Sequence, residues 1–179
     1  MQENKLKIDS SIPGFSLTGV DDKTYSLNDF SEKKILIVIF SCNHCPYVQA
    51  YEDRIIALQN KFEKDGVQII AINSNDDEKY PDDSFDEMKK RASARGFNFP
   101  YLRDETQIVA KAFGATHTPQ IFLFDSNRKL KYEGKIDDNW QESDKVKSAY
   151  FRDAILEVLG GKEVSVPETF SIGCTIKWK

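Results

Sequence analysis

The sequence has few cysteines, no long apolar stretch and little excess charge. Its 179 residues include only three cysteines, Cys42, Cys45 and Cys174. An odd number this small excludes a disulfide framework, and a chain of this length buries a sizeable core without such staples. The longest apolar run, Ile35 to Phe40, is far too short to cross a bilayer. The first residues, Met1-Gln2-Glu3-Asn4-Lys5-Leu6-Lys7, contain no apolar leader stretch. The expected compartment is therefore the cytoplasm, although a trimmed mature form of a periplasmic or secreted protein reads the same way. A net charge of −4 provides no electrostatic reason to bind nucleic acid or an anionic membrane. The acidic pairs Asp82-Asp83 and Asp137-Asp138 read as solvated turns. No second cysteine pair is present to complete a structural zinc site; only His44, His117 and the distant Cys174 remain. Covalent haem attachment needs a histidine directly after the second cysteine, and Pro46 stands there. We expect no cofactor and no bound metal.

What is present is an alternation of strand and helix patterns. Phe15-Ser16-Leu17 and Thr24-Tyr25-Ser26-Leu27 alternate around turn residues as a short hairpin does. Lys34 to Phe40 is nearly continuously apolar and β-branched, the pattern of a strand buried on both faces. Val48, Tyr51, Ile55, Leu58 and Phe62 then recur at helical spacing to about Lys64, where Asp65-Gly66 stops the helix. Val67 to Ile72 is a second buried strand, so the first half contains a strand–helix–strand unit of a parallel sheet. Ser84 is placed to cap a helix through Arg95. Phe99 to Leu102 is extended, Thr106 to Phe113 is a short helix, and Gln120 to Phe124 with Lys129 to Glu133 is a hairpin around a turn sequence. Ser143 to Leu159 is predicted as the last long helix. The expected organisation is one α/β domain over 1–179, a central mixed sheet with helices on both faces, an N-terminal β-hairpin and a docked C-terminal tail over 162–179.

The chemistry is concentrated at Cys42-Asn43-His44-Cys45, between a buried strand and the following helix. Unpaired N–H groups at a helix N-terminus favour negative charge, and a thiolate is the reactive form of cysteine. The spacing predicts Cys42 as an exposed attacking thiol of depressed pKa. Cys45, one turn in and partly buried, is then the thiol that resolves a mixed disulfide. His44 is a candidate modulator that adds positive charge beside the pair.

These residues resemble the thioredoxin-like superfamily, most closely its peroxiredoxin-like branch of the alkyl hydroperoxide reductase/thiol-specific antioxidant type. The resemblance runs from Ile12 to about Leu159. It rests on Pro13-Gly14-Phe15-Ser16-Leu17, Tyr25-Ser26-Leu27 and Phe30, on Ile35 to Cys45, and on Thr118-Pro119 before the Gln120 strand. It implies a thioredoxin-like fold and a cis-proline loop at Thr118–Pro119 that lies against the cysteines and offers backbone to substrates. In that branch Cys45-Pro46 falls where the peroxidatic cysteine stands. The usual Thr or Ser three residues earlier is Cys42 here, the usual Pro seven residues earlier is Val38, and the thioredoxin Trp before the first cysteine is Ser41.

The implied activity is thiol–disulfide exchange through a reversible Cys42–Cys45 disulfide, of an antioxidant kind. Its substrates are protein or small-molecule disulfides or hydroperoxides, and its electrons come from a thiol reductant such as a thioredoxin-type donor. One alternative is a thiol peroxidase in which Cys45 forms a sulfenic acid that Cys42 or Cys174 resolves. Another is a non-catalytic binding or metal-carrying module on the same fold. Cys174 reads either as a third redox centre or as a small apolar contact of the tail. His117, Trp140 and Tyr132 read as neighbours of the site or as packing residues.

Overall fold

The computed structural model describes residues 5–179, so most of the initial stretch examined for a leader, Met1 to Asn4, lies outside the described residues. In chain order the strands are β1 (Ser16–Gly19), β2 (Thr24–Ser26), β3 (Ile35–Ser41), β4 (Val67–Asn73), β5 (Tyr101–Arg103), β6 (His117–Thr118), β7 (Gln120–Phe124), β8 (Leu130–Gly134) and β9 (Cys174–Thr175). The helices are α1 (Pro46–Phe62), α2 (Phe85–Arg95), α3 (Ile108–Phe113) and α4 (Tyr150–Leu159). Seven strands form one sheet in the order β2-β1-β5-β4-β3-β7-β8, and β6 pairs with β9 separately. β3 runs parallel to β4 and antiparallel to β7. This is the mixed sheet expected from the sequence.

Strand geometry explains why β3 is apolar throughout. Successive side chains point to opposite faces, and both faces of β3 are covered. Ile35, Ile37 and Ile39 pack with Tyr51, Ile55 and Phe62 of α1, Met88 of α2, and Phe151 and Ile155 of α4. Leu36, Val38 and Phe40 pack with Val109 and Phe113 of α3 and with Phe15, Phe30, Leu130 and Ile176. Each such large side chain contributes about 1.5–3 kcal/mol on burial. A slip of one residue would exchange the two sets, so the register is strongly specified. Helix α2 is tied to α1 by Glu52, 2% exposed, whose carboxylate takes Arg91 Nε at 2.6 Å and Arg95 Nε at 3.0 Å.

Two helices are shorter than the sequence predicts. The last begins at Tyr150, after a single 3-10 turn at Ser143–Lys145. Between them the backbone is drawn off helical geometry because Lys147 N–H donates to Asp138 Oδ1 at 2.9 Å and Asp138 N–H donates to the Ser148 carbonyl at 3.1 Å. The third begins at Ile108, because Gln107 is left-handed at φ 62°. Its free N-terminal amides are instead taken by Asp104, whose carboxylate accepts from Val109 and Ala110.

The tail runs back across the body. Thr169 N–H donates to the Glu133 carbonyl on β8, Cys174 and Thr175 pair with Thr118 and His117, and Ile176 is buried. Asp76 N–H donates to the Lys177 carbonyl at 2.8 Å, and Lys177 N–H donates to Asn75 Oδ1 at 2.9 Å.

Candidate active site

The end of β3, the start of α1, the loop after β4 and the β6 segment meet at the C-terminal edge of the parallel strands. Pro46 supplies the first helical residue, with a fixed φ and no amide hydrogen to leave unpaired. The N-cap of α1 is therefore Cys45, with extended backbone at φ −74° and ψ 121°. Cys42 precedes the helix altogether. The Thr118–Pro119 peptide is cis, and Thr118 lies against both sulfurs. Cys42 Sγ is 3.4 Å from Thr118 Oγ1, and Cys45 Sγ is 3.3 Å from the Thr118 carbonyl oxygen.

This geometry corrects the expected exposure of the pair. Cys42 is not exposed at the mouth of a turn: its relative exposure is 2%, against 0% for Cys45. The thiol of Cys42 is pushed far up by its hydrogen bond to Cys45, by burial and by the nearby Asp83 carboxylate. The thiol of Cys45 is pulled down to about 4, because Cys42 hydrogen-bonds to its sulfur, aided by Cys174 and by the Val48 and Cys174 backbone amides, against the opposing effect of burial. The Thr118 carbonyl beside the same sulfur is the neighbour that favours a neutral thiol. The main cause of the difference is the contact between the two sulfurs, which favours a single negative charge carried by Cys45, and the Val48 and Cys174 backbone amides add to it.

Beneath the pair lies a polar network that sequence reasoning missed. Asp83, read as half of a solvated turn, is fully buried. Its Oδ1 accepts from Asn43 N–H at 2.6 Å and from Asn73 Nδ2 at 3.2 Å, and its Oδ2 accepts from Asn75 Nδ2 at 2.8 Å. Tyr101 OH donates to Asn43 Oδ1 at 2.9 Å. His44 Nδ1 approaches Asp83 Oδ2 to 2.6 Å without hydrogen-bond alignment, and its ring stacks on Tyr80. The imidazole thus faces Asp83. In the other acidic pair, Asp137 is also buried, accepting from Tyr51 OH and Arg54, whereas Asp138 is exposed. Nothing in the local spacing distinguishes Asp83 from Asp82; the loop after β4 decides which one turns inward.

Cys42, His44 and Asp83 place one sulfur, one nitrogen and one oxygen within 4.8 Å of one another, a trio of potential metal ligands. Three amide donors already meet the Asp83 carboxylate, two on Oδ1 and one on Oδ2.

The tail brings the third cysteine to this place. Cys174 packs with Cys42, Cys45 and Val48. Burial and the adjoining Cys45 raise its pKa to about 11, against the opposing charge of Lys177. His117 lies on β6 with Nδ1 2.8 Å from Thr116 Oγ1. Trp140 packs on Tyr47 at the rim, at 4.4 Å between ring centroids. Tyr132 is a core residue whose hydroxyl meets Thr169. Pro119 also lines a small recess with Tyr51, Ile136, Trp140 and Ile172.

Comparison with known proteins places this arrangement among others. The family model described as Redoxin matches residues 7–150. A "Thiol-disulfide oxidoreductase ResA" of Bacillus thuringiensis subsp. konkukian is 26% identical over 136 residues, which are 75% of this chain and 73% of that protein. An uncharacterized conserved protein from Geobacillus kaustophilus has a crystal structure that superposes with a TM-score of 0.92 at 40% identity, covering 98% of this chain and 94% of that one. A hypothetical protein from Sinorhizobium meliloti 1021 matches with the same TM-score at 34% identity, covering 98% and 97%.

Proposed function

The chain belongs to the redoxin family, with a thioredoxin-like fold, and on that premise we propose that it is a thiol–disulfide oxidoreductase whose working pair is Cys42 and Cys45. The observation that carries this reading is the placement of Cys45 at the N-cap of α1, with Cys42 packed beside it and Thr118 against both sulfurs.

In this scheme Cys45 is the thiolate that attacks. It forms a mixed disulfide with one sulfur of a substrate disulfide and expels the other as a thiolate. Cys42 holds its proton until then, because a second negative charge beside Asp83 is disfavoured. It then attacks Cys45 Sγ, giving up the proton to the departing thiolate, and the Cys42–Cys45 disulfide remains. An external thiol reductant reverses the sequence. Thr118 sits beside both sulfurs, placed to hold Cys42 through its hydroxyl. The substrates are disulfides of proteins or small molecules, and the name carried by the curated relative supports that class.

A second reading, reduction of hydroperoxides, is favoured by one observation: the anionic sulfur is Cys45, the position equivalent to a peroxidatic cysteine. Stopped-flow mixing of the reduced protein with hydrogen peroxide and with a model disulfide separates the two. Under the exchange reading, Cys45→Ser abolishes reaction with the disulfide, Cys42→Ser still reacts at Cys45 but cannot form the Cys42–Cys45 disulfide, and peroxide reacts no faster than with a free thiol. Fast peroxide consumption that survives Cys42→Ser would replace exchange by the peroxidase reading.

A further inference from the structure

The C-terminal segment lies in an unusual place for a tail. Its strand β9 pairs antiparallel with β6, in the register His117 with Thr175 and Thr118 with Cys174. β6 leads directly into Pro119, so the tail occupies the backbone edge beside the cysteine pair. Three features show that the position is built. Gly173 passes so close to the Thr118 carbonyl that a Cβ at this position would collide with its backbone. Ile176 is buried in the core on one side of the sheet. Lys177 is held by hydrogen bonds to Asp76, Asn75 and Gln107, and its ammonium lies over the Tyr80 ring that stacks on His44. The result is that Cys174 packs against Cys45. It is the only one of the three cysteines that is not fully buried.

We propose that Cys174 is a third redox centre, a tethered thiol that exchanges with Cys45 and carries the disulfide from the buried pair to the half-exposed tail. The inference rests on the dithiol reading above. Starting from the Cys42–Cys45 disulfide, the Cys174 thiol loses its proton and attacks Cys45 Sγ. The Cys45–Cys174 bond forms and the Cys42–Cys45 bond breaks. The electron pair stays on Cys42, which takes up a proton, so no external oxidant is consumed in the transfer. An external dithiol then reduces the Cys45–Cys174 disulfide at the edge of the molecule. With β9 in place the Cys42–Cys45 disulfide lies buried, and Cys174 supplies a second, more exposed sulfur through which an external dithiol can complete the exchange.

The test uses full-length reduced protein treated with dipyridyl disulfide, followed by acid quench and peptide mass spectrometry under non-reducing conditions. In Cys42→Ser, Cys45 expels one pyridinethione and Cys174 the other, leaving an intramolecular Cys45–Cys174 link. A stable pyridyl adduct on Cys45, or a dimer between chains, overturns the proposal. Gly173→Val in the same background should displace β9 and abolish the link; a link that persists refutes the claim that the docked strand places Cys174. Cys174→Ser keeps Cys42 and Cys45 and should still form their disulfide. Failure of that variant to do so counts against the dithiol reading itself, and is separable from failure of the relay.

Discussion

Removing the Cys42 side chain tests the electrostatic account of the site most directly. With a pKa of about 4, Cys45 is a thiolate across the whole neutral range, whereas an ordinary thiol near 8.5 is ionised at roughly the 1% level or below at pH 6. That difference does not make Cys45 a very fast nucleophile. Intrinsic reactivity falls with basicity with a Brønsted slope of about 0.4–0.5, so some four units of depression cost on the order of a hundredfold per thiolate. The two effects nearly cancel at pH 6, and burial slows alkylation at every pH alike. The diagnostic quantity is therefore the shape of the pH profile. Thiolate absorbance in the ultraviolet, taken as the difference between wild type and Cys45→Ser, should stay flat from about pH 9 to pH 5 and fall only near pH 4. Cys42→Ala deletes the largest cause of the depression and should move that midpoint upward by more than about one unit, each unit being ~1.4 kcal/mol of preference for the charged form. Cys42→Ser, which retains a donor, should move it less. A wild-type midpoint near that of an ordinary thiol, or an unchanged midpoint in Cys42→Ala, would refute the assignment of the charge to Cys45.

Three further outcomes are expected. Because the folded Cys45 pKa lies below its unfolded value, its contribution to stability is full above about pH 8.5 and is lost as pH falls toward 4. Urea denaturation of reduced wild type and Cys45→Ala should accordingly show a difference that shrinks on acidification. Asp83→Asn, which keeps the shape of the network but removes its charge, should lower the pH at which Cys42 is alkylated in a Cys45→Ser background; a raised or unmoved profile contradicts the repulsion assigned to Asp83. Glu52→Gln removes the carboxylate shared by Arg91 and Arg95, both of which reach solvent, and should destabilise the fold by about 1.5–3 kcal/mol, measured by thermal denaturation, with the Cys42–Cys45 disulfide still forming in the folded protein.

What the sequence determined by itself is everything that depends on neighbours a few residues apart. The continuous apolar run of β3, the helical spacing of α1 and the turn before Gln120 each declare their structure locally, because periodicity of 2 or 3.6 residues decides which face a side chain meets. The C-x-x-C pair and Thr118–Pro119 were legible for the same reason, as short motifs on recognisable elements. Tertiary structure alone decided how the site is charged. Asp83 comes from beyond β4, Thr118 from beyond α3 and Cys174 from the end of the chain, and no spacing relates them to Cys42. Even the start of α1, one residue after Cys45, leaves the charge of the pair open until Cys42, Thr118 and Cys174 are placed around the Cys45 sulfur. A thiol pKa is the sum of such contacts over a few ångströms in space, and those distances exist only once the sheet has brought its ends together.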